Sequence, residues 1–249
     1  MLRRVVLAAG IFLGGAMVST QAEAIEAFVD RFGEAPEFSG WRLSRYAHSG
    51  GWIHNVWNPN QALWSPGALA IELRPKAGDA KPFVSGELRR KTRSHFGRYE
   101  AVMKAAKGEG LNTAVFTYTG PHRSDPHDEV DIEILGRDTT RVSLNYFNDG
   151  RSNAQGTFPL GFDAAEGFHH YAFEWTADAI RWYADGRLIH ETGPGDPPPP
   201  QTPAQVYLSL WTGSPGWLGR IGPDGRGRAE FACVAYSPDL SAPPRCDAP

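Results

Sequence analysis

His127-Asp128-Glu129-Val130-Asp131-Ile132-Glu133-Ile134-Leu135-Gly136 reads with a period of two. Glu129, Asp131 and Glu133 fall on one face of an extended strand, and Val130, Ile132 and Ile134 on the other. The apolar face must look into a core, which leaves three carboxylates in a row on the opposite surface. Charges two positions apart on a strand sit roughly 6–7 Å from one another and repel, and strands disfavour Asp and Glu. Such a row fits glycoside hydrolysis, which needs one acid to protonate the leaving oxygen and one carboxylate to attack, about 5–5.5 Å apart in retaining enzymes. The Cα atoms of Glu129 and Glu133 lie about 13 Å apart at ~3.3 Å per residue, a gap that two Glu side chains on a curved strand close in large part. Asp131, shorter and between them, is placed to hydrogen-bond a neighbouring Glu and help set its protonation. The plain alternatives are a solvated acidic face or part of a calcium site.

On either side of this strand the chain is a run of short extended segments. Ala114-Val115-Phe116-Thr117-Tyr118 is apolar throughout and predicts a central strand. Residues 120–127, with two prolines, form the loop that delivers the acidic strand. In Arg141–Phe147 the side chains of Ser143, Asn145 and Phe147 share a face. If this strand pairs with the acidic one, the Asn145 amide lies in the same cleft, able to donate to and accept from sugar hydroxyls. Upstream, Phe28 to Trp41 reads as a leading loop and first strand, containing Phe32, Phe38 and Trp41. Trp52 and Trp57 sit among Gly and Asn turn signals; they are sugar-platform candidates, with core packing as the alternative. Glu87 and Arg89 share a face, as a surface ion pair or as cleft lining, the surface pair being favoured. Tyr99–Lys104 reads as an amphipathic strand. Downstream, His169–Trp175 and Ala179–Tyr183 are strands, Asp185-Gly186 is a hairpin turn, and Asp196 to Pro200 is a stiff surface loop. Val206–Trp211 is a strand ending in a second possible sugar platform, and residues 226–236 give a last strand. With almost no helical periodicity, this argues for an all-β sandwich or barrel without repeat or linker.

A length of 249 residues, 41% hydrophobic and 12% aromatic, suits one large β domain. A net charge of −3 without a basic stripe argues against nucleic acid as a partner. Residues 1–24 carry Arg3 and Arg4, an apolar run from Val5 to Val18 and the small-x-small pattern Ala22-Glu23-Ala24. They predict a secretory signal, cleaved after Ala24 to leave residues 25–249 in the periplasm or medium. No later run is long enough to cross a membrane. Cys233 and Cys246 are either a disulfide that pins the tail or two separate thiols.

Glu129-Val130-Asp131-Ile132-Glu133 resembles the signature of the family 16 glycoside hydrolases, in the version without an extra residue before the last Glu. Phe116–Pro121, Asp138-Thr139-Thr140, Leu160–Asp163, Gly167–His169, Tyr171–Phe173 and Tyr183–Gly186 resemble the bacterial lichenases in the same order, so the likeness covers roughly residues 38–236. The resemblance implies a β-jelly-roll sandwich of two antiparallel sheets with a substrate cleft on the concave face. It implies a secreted retaining endo-β-glycanase acting on mixed-linkage β-1,3-1,4-glucan, with Glu129 as nucleophile, Asp131 assisting and Glu133 as general acid/base. By position it adds Glu87, Arg89, Asn145 and Trp211 as cleft residues beside Trp52. The departures are informative. His127 stands where lichenases have Trp, the positions near Asn55 and Ser85 are not Cys, and Ala232 stands where a calcium-ligating Asp is expected, so neither metal nor cofactor is expected. Pro126–Glu129, Gly110–Ala114 and Ser209–Trp211 resemble the rhizobial glycanases, which trim acidic exopolysaccharide, and His127 would suit such a glycan. The rival readings are that succinoglycan-type substrate, transglycosylation, and a non-catalytic glycan-binding jelly roll. The expected partner is a polysaccharide, and the expected state a monomer.

Overall fold

The computed structural model describes residues 26–32, 40–65, 67–78 and 81–247. The predicted signal segment and Phe38 lie outside the described residues. The strands, in chain order, begin with β1 (Phe28–Asp30), β2 (Trp41–Leu43), β3 (Tyr46–Ala47), β4 (Asn55–Trp57), β5 (Ala62–Ser65) and β6 (Ala68–Pro75). There follow β7 (Phe83–Ser85), β8 (Glu87–Arg90), β9 (Gly97–Lys104), β10 (Leu111–Thr119), β11 (Asp128–Leu135), β12 (Arg141–Asn148) and β13 (Arg151–Ser152). The chain closes with β14 (Gly156–Pro159), β15 (His169–Trp175), β16 (Ile180–Ala184), β17 (Arg187–Glu191), β18 (Gln205–Thr212) and β19 (Gly227–Ser237). One α-helical turn, Pro215–Leu218, precedes β19.

Two sheets pack face to face. The inner one runs β13-β12-β11-β10-β18-β8-β2, with β14 on β12. The outer one runs β17-β16-β15-β9-β19-β6-β7-β4-β3, with β1 on β19 and β5 on β6. All pairings are antiparallel except β4 with β7. This is the expected all-β sandwich, and its core follows from the period-two pattern. Val130, Ile132 and Ile134 turn inward to meet Tyr171, Phe173, Trp175 and Trp182 of the outer sheet, all of them buried. A polar bond crosses behind the acidic strand: Trp182 Nε1 donates to the carbonyl of Asp131 at 3.0 Å, which satisfies an indole that burial would otherwise leave unpaired.

Several expectations need correction. Phe28 to Trp41 holds two strands in different sheets, β1 on β19 and β2 on β8. β9 is not amphipathic, because the C-terminal segment covers its outer face. Cys233 and Cys246 form a disulfide with Cα atoms 5.7 Å apart and cluster with Val102 and Ala235. Glu100, buried on β9, accepts from the backbone N–H of Arg245 and Cys246 at 3.0–3.1 Å and lies 3.0 Å from His170 Nε2. These donors hold its carboxyl below the ordinary range against the opposing effect of burial. The proline loop is only partly a surface feature. Pro199 and Pro200 are buried, and its carbonyls accept from Tyr146 Oη, Asn148 Nδ2 and Trp175 Nε1. Asp185 and Gly186 take φ of 46° and 74°, the left-handed pair that a tight Asp-Gly hairpin requires.

Candidate active site

The outward faces of the inner sheet make a cleft of about 1160 Å³. Strand register arranges its floor in rows. The middle row runs Asn145–Asp131–Phe116–Tyr207–Arg89. Beside it lies Phe147–Glu129–Tyr118–Gln205, and on the other flank Ser143–Glu133–Ala114–Ser209–Glu87. Glu129 and Glu133 thus flank the Asp131 row, with a trough running across the strands between them. Burial forces this arrangement: a one-residue slip would put Val130, Ile132 and Ile134 in the trough and three carboxylates in the core.

Each carboxyl has its own partners. Asp131 is hydrogen-bonded to Glu129 and to Asn145. His127 Nε2 lies 2.6 Å from Glu129 Oε2, and the imidazole stacks on Phe147 at 4.3 Å and meets Tyr118 edge-on at 5.2 Å. Desolvation lowers the pKa of His127, which favours the neutral ring, and a neutral ring protonated on Nε2 donates to Glu129 whenever that carboxyl is ionised. Asn112 Nδ2 donates to Glu133 Oε1 at 2.6 Å. Burial raises all three acids of the strand. Glu129 goes up to about 8, opposed by its bond with Asp131 and pushed further by Glu133 and Glu87. Asp131 and Glu133 are both held well above the ordinary range, by burial first and then by the neighbouring carboxylate.

Glu87 is not half of a surface ion pair. It is 5% exposed and accepts from Ser44 Oγ at 2.6 Å and Tyr46 Oη at 3.3 Å. Burial raises it to about 7 against those bonds and the charge of Arg89. Arg89 gives Nη1 to Gln205 at 2.9 Å, and Glu87 and Arg89 both line the cleft. Period-two reading put them on one face but left open which side that face looks to.

The aromatic candidates divide. Trp52 is 49% exposed at the cleft rim. Its loop approaches β18 closely enough that a Cβ on Gly213 would lie 2.3 Å from the Trp52 carbonyl oxygen. Trp57 is buried with Ile53, Leu135, Trp211 and Leu218, so it serves mainly as a wall. Trp211 is also buried, with Trp52 edge-on at 5.5 Å and Trp217 tilted at 5.6 Å. It braces two more exposed indoles and is not an open platform. Tyr118, Tyr207, Trp217 and Asn112 were missed from sequence. Reading Ala114–Tyr118 as apolar throughout hid its alternation, in which Phe116 and Tyr118 face the cleft while Val115 and Thr117 face the core.

Ala232, on β19 beside the disulfide cluster, has no side-chain oxygen, so that position offers calcium no carboxylate. Among the described residues no group of three or more His, Cys, Asp or Glu is placed to hold a metal, and no helix is long and apolar enough to cross a membrane.

Residues 51–229 match the glycosyl hydrolases family 16. The chain is 40% identical over 205 residues to a beta-glucanase of Acetivibrio thermocellus, a match covering 81% of this chain and 60% of that protein. It is 38% identical over 182 residues to the beta-glucanase of Bacillus subtilis, covering 72% and 73%. The chain therefore spans about 60% of the length of the first of these relatives. Among solved structures, the Bacillus licheniformis beta-glucanase superposes with a TM-score of 0.78 at 34% identity, covering 86% of this chain and 99% of that one. A beta-1,3-1,4-glucanase (lichenase) from a mouse hindgut metagenome gives 0.80 at 32%, with the same coverage.

Proposed function

This chain belongs to family 16 of the glycosyl hydrolases, and from that membership we propose that it is a retaining endo-β-glucanase acting on mixed-linkage β-1,3-1,4-glucan. The observation that carries the reading is the placement of Glu129 and Glu133 on either side of the Asp131 row, in one trough. The glycan lies across the strands, over Asp131, Phe116 and Tyr207. Glu129 attacks the anomeric carbon, the glycosidic C–O bond breaks, and the proton of Glu133 goes to the departing oxygen. Water then gives a proton to Glu133 and its oxygen to the anomeric carbon, freeing Glu129 with net retention.

The electrostatics support the division of labour. Burial first, and then the neighbouring Asp131, raise Glu133 well above the ordinary range, which favours the protonated form an acid needs. Glu129 is raised by burial to about 8 against its hydrogen bond with Asp131, and His127 Nε2, 2.6 Å from its Oε2, is placed to stabilise the carboxylate once the proton has left. A carbohydrate-binding role needs aromatic platforms but no such acid pair. One observation favours a second substrate: His48, His122 and His127 line the cleft together with Arg89. A cleft so lined suits an acidic exopolysaccharide, cleaved by the same two steps or transferred to a sugar acceptor. The protein is taken to act as a monomer, exported by residues 1–24, with neither metal nor cofactor in the reaction.

The test is release of reducing ends from mixed-linkage glucan, β-1,3-glucan, a cellulose derivative and an acidic bacterial exopolysaccharide. Glu129→Ala is expected to fold and to lose all turnover, and added azide to restore it with an inverted product. Wild-type rates in that variant would refute the assignment. Activity confined to the acidic polymer would select the second substrate.

A further inference from the structure

Glu133 has one hydrogen-bond donor among the described residues, and it lies outside the acidic motif. Asn112, at the start of β10 and one row beyond Glu133, is fully buried and gives its Nδ2–H to Glu133 Oε1 at 2.6 Å. Its amide oxygen has no partner among the described residues, so the contact with Glu133 is the side chain's one described hydrogen bond. Register holds it there: Asn112 sits opposite Leu135 on β11 and Trp211 on β18, both buried. A buried amide costs stability unless its bonds are made, and here the oxygen makes none among the described residues. A feature of that cost, aimed at the presumed acid, points to function.

Resting on the reading of Glu133 as acid/base, we propose that Asn112 is its positioning residue: the amide N–H occupies Oε1, so the proton is carried and delivered by Oε2. A carboxyl free to rotate presents its proton on either oxygen and in either direction. With Oε1 committed to a donor, a proton there would meet the N–H head-on, so it resides on Oε2. Asn112 does not touch the glycan. It acts through orientation, worth roughly 10- to 100-fold when a proton donor is misplaced. The N–H also favours the ionised carboxylate, which the second step needs as base. The charged groups facing Glu133 are few. Asp131 and Glu129 lie on its own strand, while Glu87 and Arg89 lie across the floor on β8. From β12 come only Ser143 directly opposite and Arg141, whose Nη2 is given to the Thr157 carbonyl.

The experiment compares full-length wild type, Asn112→Val and Asn112→Ser on two substrates. One is mixed-linkage glucan, whose leaving oxygen needs a proton. The other is a 2,4-dinitrophenyl β-glycoside, whose leaving group departs without one. For Asn112→Val the loss of kcat/KM is expected to be at least tenfold greater on the glucan, and its alkaline limb to move to higher pH, since a donor to the carboxylate is gone. Asn112→Ser, which keeps a small donor, is expected to fall between. Equal losses on both substrates with an unmoved limb would mean a merely structural role and would overturn the proposal. A ¹³C NMR titration of the labelled Glu carboxyls reads the same effect without any substrate: Glu133 is expected to titrate higher in Asn112→Val, and an unchanged curve overturns the proposal. Glu133→Gln is the separate control. If it keeps wild-type rates on the polysaccharide, the acid/base reading itself fails, independently of Asn112.

Discussion

His127 bears on one half of the site's chemistry, the carboxyl of Glu129. Its ring stacks on Phe147 and lies 2.6 Å from Glu129. His127→Phe keeps the stacking surface and removes the donor. It is expected to lower kcat/KM about 10-fold or more and to move the acidic limb of the pH profile upward, because the carboxylate of Glu129 loses a hydrogen bond. A profile that keeps its limb while the rate falls would make His127 a packing residue only. In the wild type that limb is expected well above the ordinary carboxylate range, since Glu129 is raised to about 8; a limb near pH 4 would contradict the burial described here. The two limbs report the coupled set, not single groups. These side chains also mark what was legible in the sequence. Alternation put Glu129, Asp131 and Glu133 on one face, and put Asn145 in the same cleft on the condition that its strand pairs with theirs, which it does. It did not find Asn112, or the bond from Ser44 to Glu87, because those contacts depend on register between segments 21 and 43 residues apart.

Among the elements, β9 shows how far pattern reading goes. Its period-two alternation was expected to leave one face in water, yet the outward residues Glu100 and Val102 are covered by residues 245–247. Nothing in β9 itself announces that cover; the signal lay in two cysteines 13 residues apart. Closing a loop of that size stabilises by about 3 kcal/mol in the chain-entropy account. Replacing both cysteines with serine is expected to lower the unfolding free energy by about that much in urea titration, while leaving the trough's kinetics unchanged at 25 °C. A change below about 1 kcal/mol would mean that Glu100 alone holds the tail. The same comparison explains the proline loop. Four prolines suggested a stiff surface loop, but not that three of its carbonyls accept from Tyr146, Asn148 and Trp175.

For the molecule as a whole, buried acids set opposite limits on stability. Glu129 and Glu87 are raised to about 8 and about 7. The folded state therefore binds more protons than the unfolded chain above the ordinary carboxyl range, and stability falls as pH rises through 7 and 8. Asp163, held near 2 by Lys107, Thr139 and the Ala165 N–H, and Glu100, lowered by its donors, work the other way. Their contribution is present above the ordinary carboxyl range and is lost as pH falls through their lowered values. Thermal melts of Glu129→Gln are expected to exceed wild type by a margin that grows from pH 5 to pH 8. A constant margin would show that the carboxyl is not raised. At the N-terminus, the exported protein is expected to begin at Ile25, which N-terminal sequencing of the secreted fraction checks.

The bond from Trp182 to the Asp131 carbonyl has a consequence for anyone building chimeras of such sandwiches. Swapping outer sheets between relatives looks harmless, since the inner sheet carries every residue of the trough's floor. Yet the backbone at the centre of that floor is tethered to an indole from the sheet being exchanged. A donor sheet with Phe at that position would fill the same space and still release the carbonyl. The module worth transplanting is therefore β16 together with β11, a unit defined across the core and not along the chain.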